Sequence, residues 1–310
     1  MDRQSTLRLT EGAILTAFFA VLLLITVYVP VISIITAFFL ILPFLIYSAK
    51  YSINASLIMV GAAIGVSAII GGIFSIPAAV AYGTTGIAMG WMVQQKKSKL
   101  TILLISSLVF LVNVVVQYAI SIVVFEINVI EEFFTIMTES FNQSVTMFNN
   151  AGVDTEQVQE VWSQNMMMIE LLLPTLLVFS VAVLMWITIA VNFPIAKRLK
   201  VDVPVFTPFR ELTLPKSVIW YYLIVLLTAL IGAPEEGTMF AYAIINLQIA
   251  LELLMILQGL SFIQFYGHHK NWSKGLMVLV TILGILINPL TRILGIIDLG
   301  FDLRKRMSGK

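Results

Sequence analysis

Long runs of apolar residues with no alternation constrain this chain more than any other feature. Residues 14–29 and 171–191 are apolar on all sides. A backbone crossing hydrocarbon must pair every N–H and C=O within itself, so only helices or a closed barrel can span. Barrel strands would alternate apolar and polar with period two; these runs do not. The expected fold class is therefore all-α, a polytopic transmembrane helix bundle. Of the 310 residues, 59% are hydrophobic and 11% charged, where soluble domains carry about a quarter charged residues. Such a chain cannot cover a water-facing surface, and a lipid bilayer is its expected principal partner.

A span takes about 20 apolar residues, and Pro, Gly, Asn or Lys mark the breaks. The sequence predicts about eight spans, near 11–29, 31–48, 53–71, 75–93, 100–125, 168–193, 217–233 and 238–265. All belong to a single integral membrane domain over 1–310. The polar stretch 1–11 runs into an apolar segment that continues to Pro30. A signal peptide would need a shorter core and a small-residue cleavage site, so this reads as the first span. The second segment is short and carries Pro43, which predicts a bend. Near the end, Pro289, Arg292 and Asp298 interrupt the apolar run 275–288. That predicts a span broken at Asn288–Pro289 and returning as an amphipathic helix over 290–303.

Basic residues orient membrane proteins toward the cytoplasm. Arg3 and Arg8 precede the first span, Lys50 follows the second, and Lys96, Lys97 and Lys99 follow the fourth. Lys197, Arg198, Lys200, Arg210 and Lys216 fill the connection after the sixth, and Lys270 and Lys274 follow the eighth. Between Leu100 and Lys197 there is no Lys or Arg, while Glu126, Glu131, Glu132, Glu139, Asp154, Glu156 and Glu160 gather there; Glu235 and Glu236 sit in the last outer connection. The alternation predicts a multi-pass membrane protein with both termini cytoplasmic.

Two connections have content. The extracytoplasmic acidic stretch 126–167 reads as two amphipathic helices, with Phe133, Met137 and Phe141 on one stripe at i, i+4 and i+8. Asn149 to Gly152 ends the first helix, and Asp154 with Gln157 suits a capping start for the second. The pair would either pack on each other above the membrane or form a lid over an outward-facing cavity. The cytoplasmic Pro-rich basic loop 194–216 carries Pro194, Pro204, Pro208 and Pro215, which predicts extended chain. It is either a linker or a docking surface for a cytosolic partner.

Catalytic patterns are missing. There is no GxxxxGK[ST] to cradle ATP, and no cysteine for a disulfide, a thiolate or a metal. The only histidines, His268 and His269, lie together in a basic connection. Glu235 and Glu236 lack the Arg and histidines of an intramembrane CAAX-type protease. Ser261 has no His to activate it as a rhomboid-type nucleophile. The chain is expected not to be an enzyme, to need no cofactor and to bind no nucleic acid.

Polar residues inside spans remain. Glu252 lies midway along the last long run, where an ionised carboxylate costs about 2.5–3.5 kcal/mol. Gln248 is one turn earlier on the same face, and Asn113 and Gln117 form a similar pair in the fifth span. Two readings stand. Either they form interhelical hydrogen bonds, with Glu252 protonated, or Asn113, Gln117, Gln248 and Glu252 line a substrate-binding cavity. The GxxxG steps Gly61/Gly65 and Gly86/Gly90, with Gly71, Gly72 and Gly83, should let the third and fourth spans approach closely. Ala13 and Ala17 make an AxxxA step on the first span that could receive another helix.

The stretches 9–17, 209–216 running into Trp220, and 294–306 resemble YybS-like membrane proteins of Gram-positive bacteria. That group is similar to the substrate-binding S components of energy-coupling-factor (ECF) vitamin transporters. The resemblance implies a small-molecule-binding component without its own ATPase. It would meet an ECF coupling protein and partner ATPases through Ala13 and Ala17, and hold its substrate near the outer side. S components usually have six spans and no long acidic outer loop, so the resemblance covers a core rather than the whole. The alternative is a non-transporting scaffold or regulator acting through 194–216 and the basic C-terminus.

Overall fold

A computed structural model describes residues 3–205, 208–231 and 237–308. Among these residues the regular structure is helical throughout. Six helical stretches are long and apolar enough to cross a membrane: Thr6–Tyr28, Pro30–Lys50, Ile53–Gln94, Lys99–Phe125, Glu156–Arg198 and Met239–His269. A bent pair, Lys274–Leu286 with Asn288–Phe301, makes a seventh. Each of the expected eight has a helical counterpart, and the bent pair is the broken segment expected beyond them. Ile53–Gln94 is one helical stretch that doubles back on itself, as described below. The seventh expected span is described as Ser217–Ile231, and residues 232 and 233 at its end lie outside the described residues. Glu235 and Glu236 lie outside the described residues. The chain divides into two compact units, 1–161 with 177–206, and 162–176 with 207–310.

In the first unit, α1 (Arg3–Tyr28) buries Phe19 and Leu23 in a core shared with Leu40, Phe44, Tyr47, Met59 and Ala63. The Phe19 and Phe44 rings meet edge to face at 5.0 Å, an arrangement that aligns ring edge with ring face quadrupole. The second expected span is broken, as Pro43 suggested. α2 (Pro30–Ala37) ends, the chain turns through 38–41, and α3 (Leu42–Lys50) resumes with Pro43 in its first turn. A proline there sacrifices only a donor that a helix start leaves unused. Every residue from Leu42 to Ser48 is buried. A helix apolar on all sides can only be solvated by its neighbours, so α3 is the post around which this unit packs.

α4 (Ile53–Gly71) and α5 (Ile76–Gln94) form an antiparallel hairpin. It turns at Gly72, whose φ of +65° is open to glycine at no steric cost. Gly83 faces Val60 across the hairpin, as the small-residue pattern predicts. The GxxxG steps behave otherwise. Gly86 and Gly90 admit α3, with Phe44 against the first and Ser48 against the second, while Gly61 and Gly65 have nothing within 4 Å. Spacing marks a face that allows close approach; it does not say which helix comes.

α6 (Lys99–Phe125) starts at Ser98, whose hydroxyl accepts from the Thr101 N–H. α7 (Val129–Asn150) starts at Asn128, whose side chain accepts from the Glu131 N–H. Both caps satisfy N–H groups that a first turn leaves free. The sheltered stripe of α7 is Ile130, Phe134, Met137, Phe141 and Val145. Phe133 falls outside it at 56% exposure, which moves the expected stripe by one residue at its first position. α7 ends by Gly152, as expected. The second amphipathic piece and the sixth span are one continuous helix, α8 (Glu156–Arg198). Asp154 accepts from the Glu156 N–H at its start. α8 also runs through Pro194 before ending at Arg198, so the start of 194–216 is helical rather than extended. A proline this close to a helix end removes a single internal bond.

The second unit contains residues 162–176 of α8, then α9 (Ser217–Ile231), α10 (Met239–His269), α11 (Lys274–Leu286), α12 (Asn288–Phe301) and the short α13 (Leu303–Ser308). α11 and α12 meet at 103°, with the break at Ile287 and Pro289 in the first turn of α12. This is the broken C-terminal segment that the sequence predicts. α12 lies hard against α10. A methyl group on Gly295 would strike the Met255 carbonyl, and one on Gly259 the Thr291 carbonyl. Around this crossing Tyr222, Val225, Leu251, Met255 and Leu299 form the unit's core.

Candidate functional site

The four residues singled out by the sequence fall into two pairs in different units. In the first unit, Asn113 Nδ2 donates to Thr84 Oγ1 at 3.0 Å and to the Val109 carbonyl at 2.8 Å. Gln117 Nε2 donates to the Pro77 carbonyl at 3.0 Å. Both amides thus tie α6 to α5. Pro77 has no N–H and its carbonyl lies in the first turn of α5, where a side-chain donor reaches it from the next helix.

In the second unit, Gln248 and Glu252 share one face of α10, as their spacing predicts. Gln248 Nε2 donates to Glu252 Oε1 at 3.2 Å, and the Tyr222 hydroxyl of α9 donates to the same oxygen at 3.5 Å. Arg292 of α12 completes the set, its Nη1 lying 2.6 Å from Glu252 Oε1. One of the two readings has Glu252 donating to an amide; here the Gln248 amide donates to Glu252, and Arg292 lies at ion-pair distance. A charge that leaves water needs an opposite charge and hydrogen bonds to compensate, and three donors converge on this one oxygen. Glu252 Oε2 accepts no hydrogen bond among the described residues. The side chains are 19% exposed for Glu252 and 31% for Arg292, so the pair can be reached from outside the protein.

A second polar cluster binds the loop before α9 to α10, α12 and α13. Gln258, fully buried, accepts from the Leu214 N–H at 2.9 Å and donates to Asp298 Oδ2 at 2.6 Å. Arg304 donates through Nε to Asp298, through Nη1 to the Arg210 carbonyl and through Nη2 to Ser261 Oγ. Ser261 donates to the carbonyls of Phe209 and Leu212. At the edge, Lys216 pairs with Asp302, and that hydrogen bond holds the Asp302 carboxyl below its ordinary value. The loop backbone therefore finds its partners on side chains rather than in water, as buried peptide groups must. Sequence reading marked 209–216 and 294–306 as distinctive but gave no reason to join them.

Asn246 of α10 accepts from the Thr175 N–H and hydroxyl and donates to the Leu171 carbonyl, which makes it interhelical glue. Asn192 was missed altogether. It is fully buried, and its Nδ2 donates to the carbonyls of Phe38 and Thr188 at 2.8 Å each. Its place at the end of an apolar run, two residues before Pro194, reads as a boundary rather than as a polar residue within a span. Among the described residues no three His, Asp or Glu side chains are grouped to hold a metal ion. Ala13 and Ala17 are exposed on α1.

A family model described as a predicted membrane protein (DUF2232) matches residues 17–299. The protein named uncharacterized protein YybS from Bacillus subtilis (strain 168) is 32% identical over 311 residues, which cover 98% of this chain and 99% of that one. No solved structure matches. With an all-helical membrane fold and both comparisons spanning nearly the whole chain, this protein belongs to the DUF2232 family of predicted membrane proteins.

Proposed function

We propose that the protein is a small-molecule-binding membrane component of a transporter, with no catalytic step of its own. The observation that carries this reading is the Glu252–Arg292 pair on α10 and α12. Ionisable residues within spans are costly, and they mark substrate or ion paths more often than they serve packing. One carboxylate oxygen is saturated while the other accepts nothing, and both side chains are partly exposed. A polar ligand would engage the free oxygen or compete with one member for the other, with Gln248 as an orienting amide. Asn113 and Gln117 enter the proposal only as supports for α5 and α6.

An ECF-type arrangement would supply energy from partner ATPases through a coupling protein docked on the exposed Ala13 and Ala17 face of α1. It also requires the termini and the basic connections to be cytoplasmic in a bacterial cell membrane, with 126–167 outside. The resemblance to S components supports this arrangement. The test is mass spectrometry of small molecules and proteins retained by the full-length protein in mild detergent. A molecule held by the native protein and lost from Glu252→Gln and Arg292→Gln, both monodisperse, is expected. A native protein that retains no such molecule and no ATPase would overturn the reading.

One observation favours a second reading, a non-transporting scaffold. The loop 208–214 is held in a fixed shape by Gln258, Ser261 and Arg304, as a docking surface for a cytosolic partner would be. Recovery of envelope or signalling proteins alone in the same purification would select it.

A further inference from the structure

The polar atoms around the Glu252–Arg292 pair are used unevenly. Tyr222, Gln248 and Arg292 all converge on Glu252 Oε1. Among the described residues Oε2 has no partner. Arg292 makes its contact through Nη1, so Nε and Nη2, the side edge of the guanidinium, meet no protein acceptor there. The Gln248 carbonyl oxygen, on the same face of α10 as Glu252, is likewise without a donor among the described residues. All four residues belong to the second unit.

These free atoms are open rather than sealed in. None of them is among the fully buried side-chain atoms that lack a partner, and the two charged side chains are 19% and 31% exposed. A ligand can therefore reach them. The Nε–Nη2 edge presents two parallel donors, the geometry that takes a carboxylate in a bidentate grip. A carboxylate oxygen beside an amide carbonyl is the complementary set, two acceptors for an ammonium. The two sets belong to side chains already in contact, so one small molecule can engage both.

Charge decides the class. The pair is neutral as a unit, and an isolated charge within a spanning segment is costly. An anion on Arg292 or a cation on Glu252 would bring in a charge that the site does not balance. A molecule carrying both charges compensates each side chain and adds no net charge. We infer that the site takes an amino acid with an uncharged side chain. Its ammonium meets Glu252 Oε2 and the Gln248 carbonyl, and its carboxylate meets Nε and Nη2 of Arg292. This inference rests on the Glu252–Arg292 reading above and supplies the substrate class for it.

The test measures thermal unfolding of the full-length protein in mild detergent. The probes are L-alanine, L-leucine and L-phenylalanine, each compared with its decarboxylated amine and its deaminated acid. Saturable stabilisation by at least one amino acid is expected, with apparent affinity about tenfold or more weaker for its amine and for its acid. Glu252→Gln, which leaves the guanidinium unbalanced, should turn the preference to the acid. Arg292→Gln should turn it to the amine, a reversal that a merely structural pair would not produce. The double variant, with two neutral amides, should respond to none of the probes; it decides the matter if neither single variant folds. No saturable response to any amino acid, equal responses to an amino acid and its amine or acid, an unchanged preference in the folded single variants, or a response surviving in the double variant would each overturn the inference. A net-charged or non-ionic molecule retained by the native protein and lost from both single variants would overturn the substrate class and leave the site standing. A native protein that retains no molecule and responds to no amino acid would overturn both.

Discussion

Arg292 reaches Glu252 across the closest helix crossing in the second unit, its Nη1 lying 2.6 Å from Oε1. The crossing permits this because Gly295 and Gly259 remove the side chains that would separate α12 from α10. Arg292 is poised by the break at Ile287, after which Pro289 starts a new helix at 103° to the last. A straight helix through 274–301 would carry Arg292 elsewhere. The C-terminal bend and the intramembrane ion pair are therefore one feature.

The pair should show strong coupling. Glu252→Gln or Arg292→Gln alone leaves an uncompensated charge, whereas the double variant leaves two neutral amides able to bond each other. We expect each single variant to be less stable than the double one, with a coupling energy of about 1–3 kcal/mol. A double-mutant cycle in detergent unfolding measures it, and additive losses would show that the two charges do not interact.

Arg304 should matter more than its terminal position suggests. Arg304→Ala leaves Asp298, 3% exposed, with Gln258 as its one remaining partner, and frees the Arg210 carbonyl. A loss of about 3–5 kcal/mol is expected for a buried charge stripped of its counter-charge. Protease cleavage within 208–214 should accelerate in parallel. Lys216→Met, removing a pair that is half exposed to solvent, should leave the unfolding midpoint nearly unchanged.

Length and apolarity carried most of the fold. The spans, the Pro43 interruption, the broken C-terminal segment and the helix ending near Gly152 follow from local rules about donors, caps and apolar length. What failed locally did so for a tertiary reason. Gly86 and Gly90 have the same spacing as Gly61 and Gly65, yet only the first pair has a helix against it, because α3 is the element that must be buried. Glu252 was recognisable as anomalous. Its partner, forty residues on, was not, since nothing in the spacing of Glu252 and Arg292 anticipates a helix turned by 103°. Asn192 escaped notice because a polar residue beside a proline looks like the end of a span.

Asn113 separates structural from binding roles. Its amide is committed to Thr84 and to its own helix, so Asn113→Leu should destabilise the protein by about 1 kcal/mol, the scale of interhelical hydrogen bonds in membranes. Any small molecule retained through Glu252 should remain bound. Loss of that molecule from a folded Asn113→Leu protein would return Asn113 to the binding site.

The glycines give a contrast within one residue type. Gly295→Ala places a methyl against the Met255 carbonyl with backbone on both sides and no flexible side chain to yield. A loss of about 1–3 kcal/mol is expected from such overpacking, together with weakening of the Glu252–Arg292 coupling as the helices separate. Gly61→Ala meets open space and should stabilise α4 slightly, since alanine restricts the unfolded chain more than glycine does. Thermal unfolding of the two variants side by side tests the assignment of which small-residue faces are occupied. If Gly61→Ala were the more damaging, the open face of α4 would have a partner in the membrane, and the α10–α12 crossing would be looser than its geometry indicates.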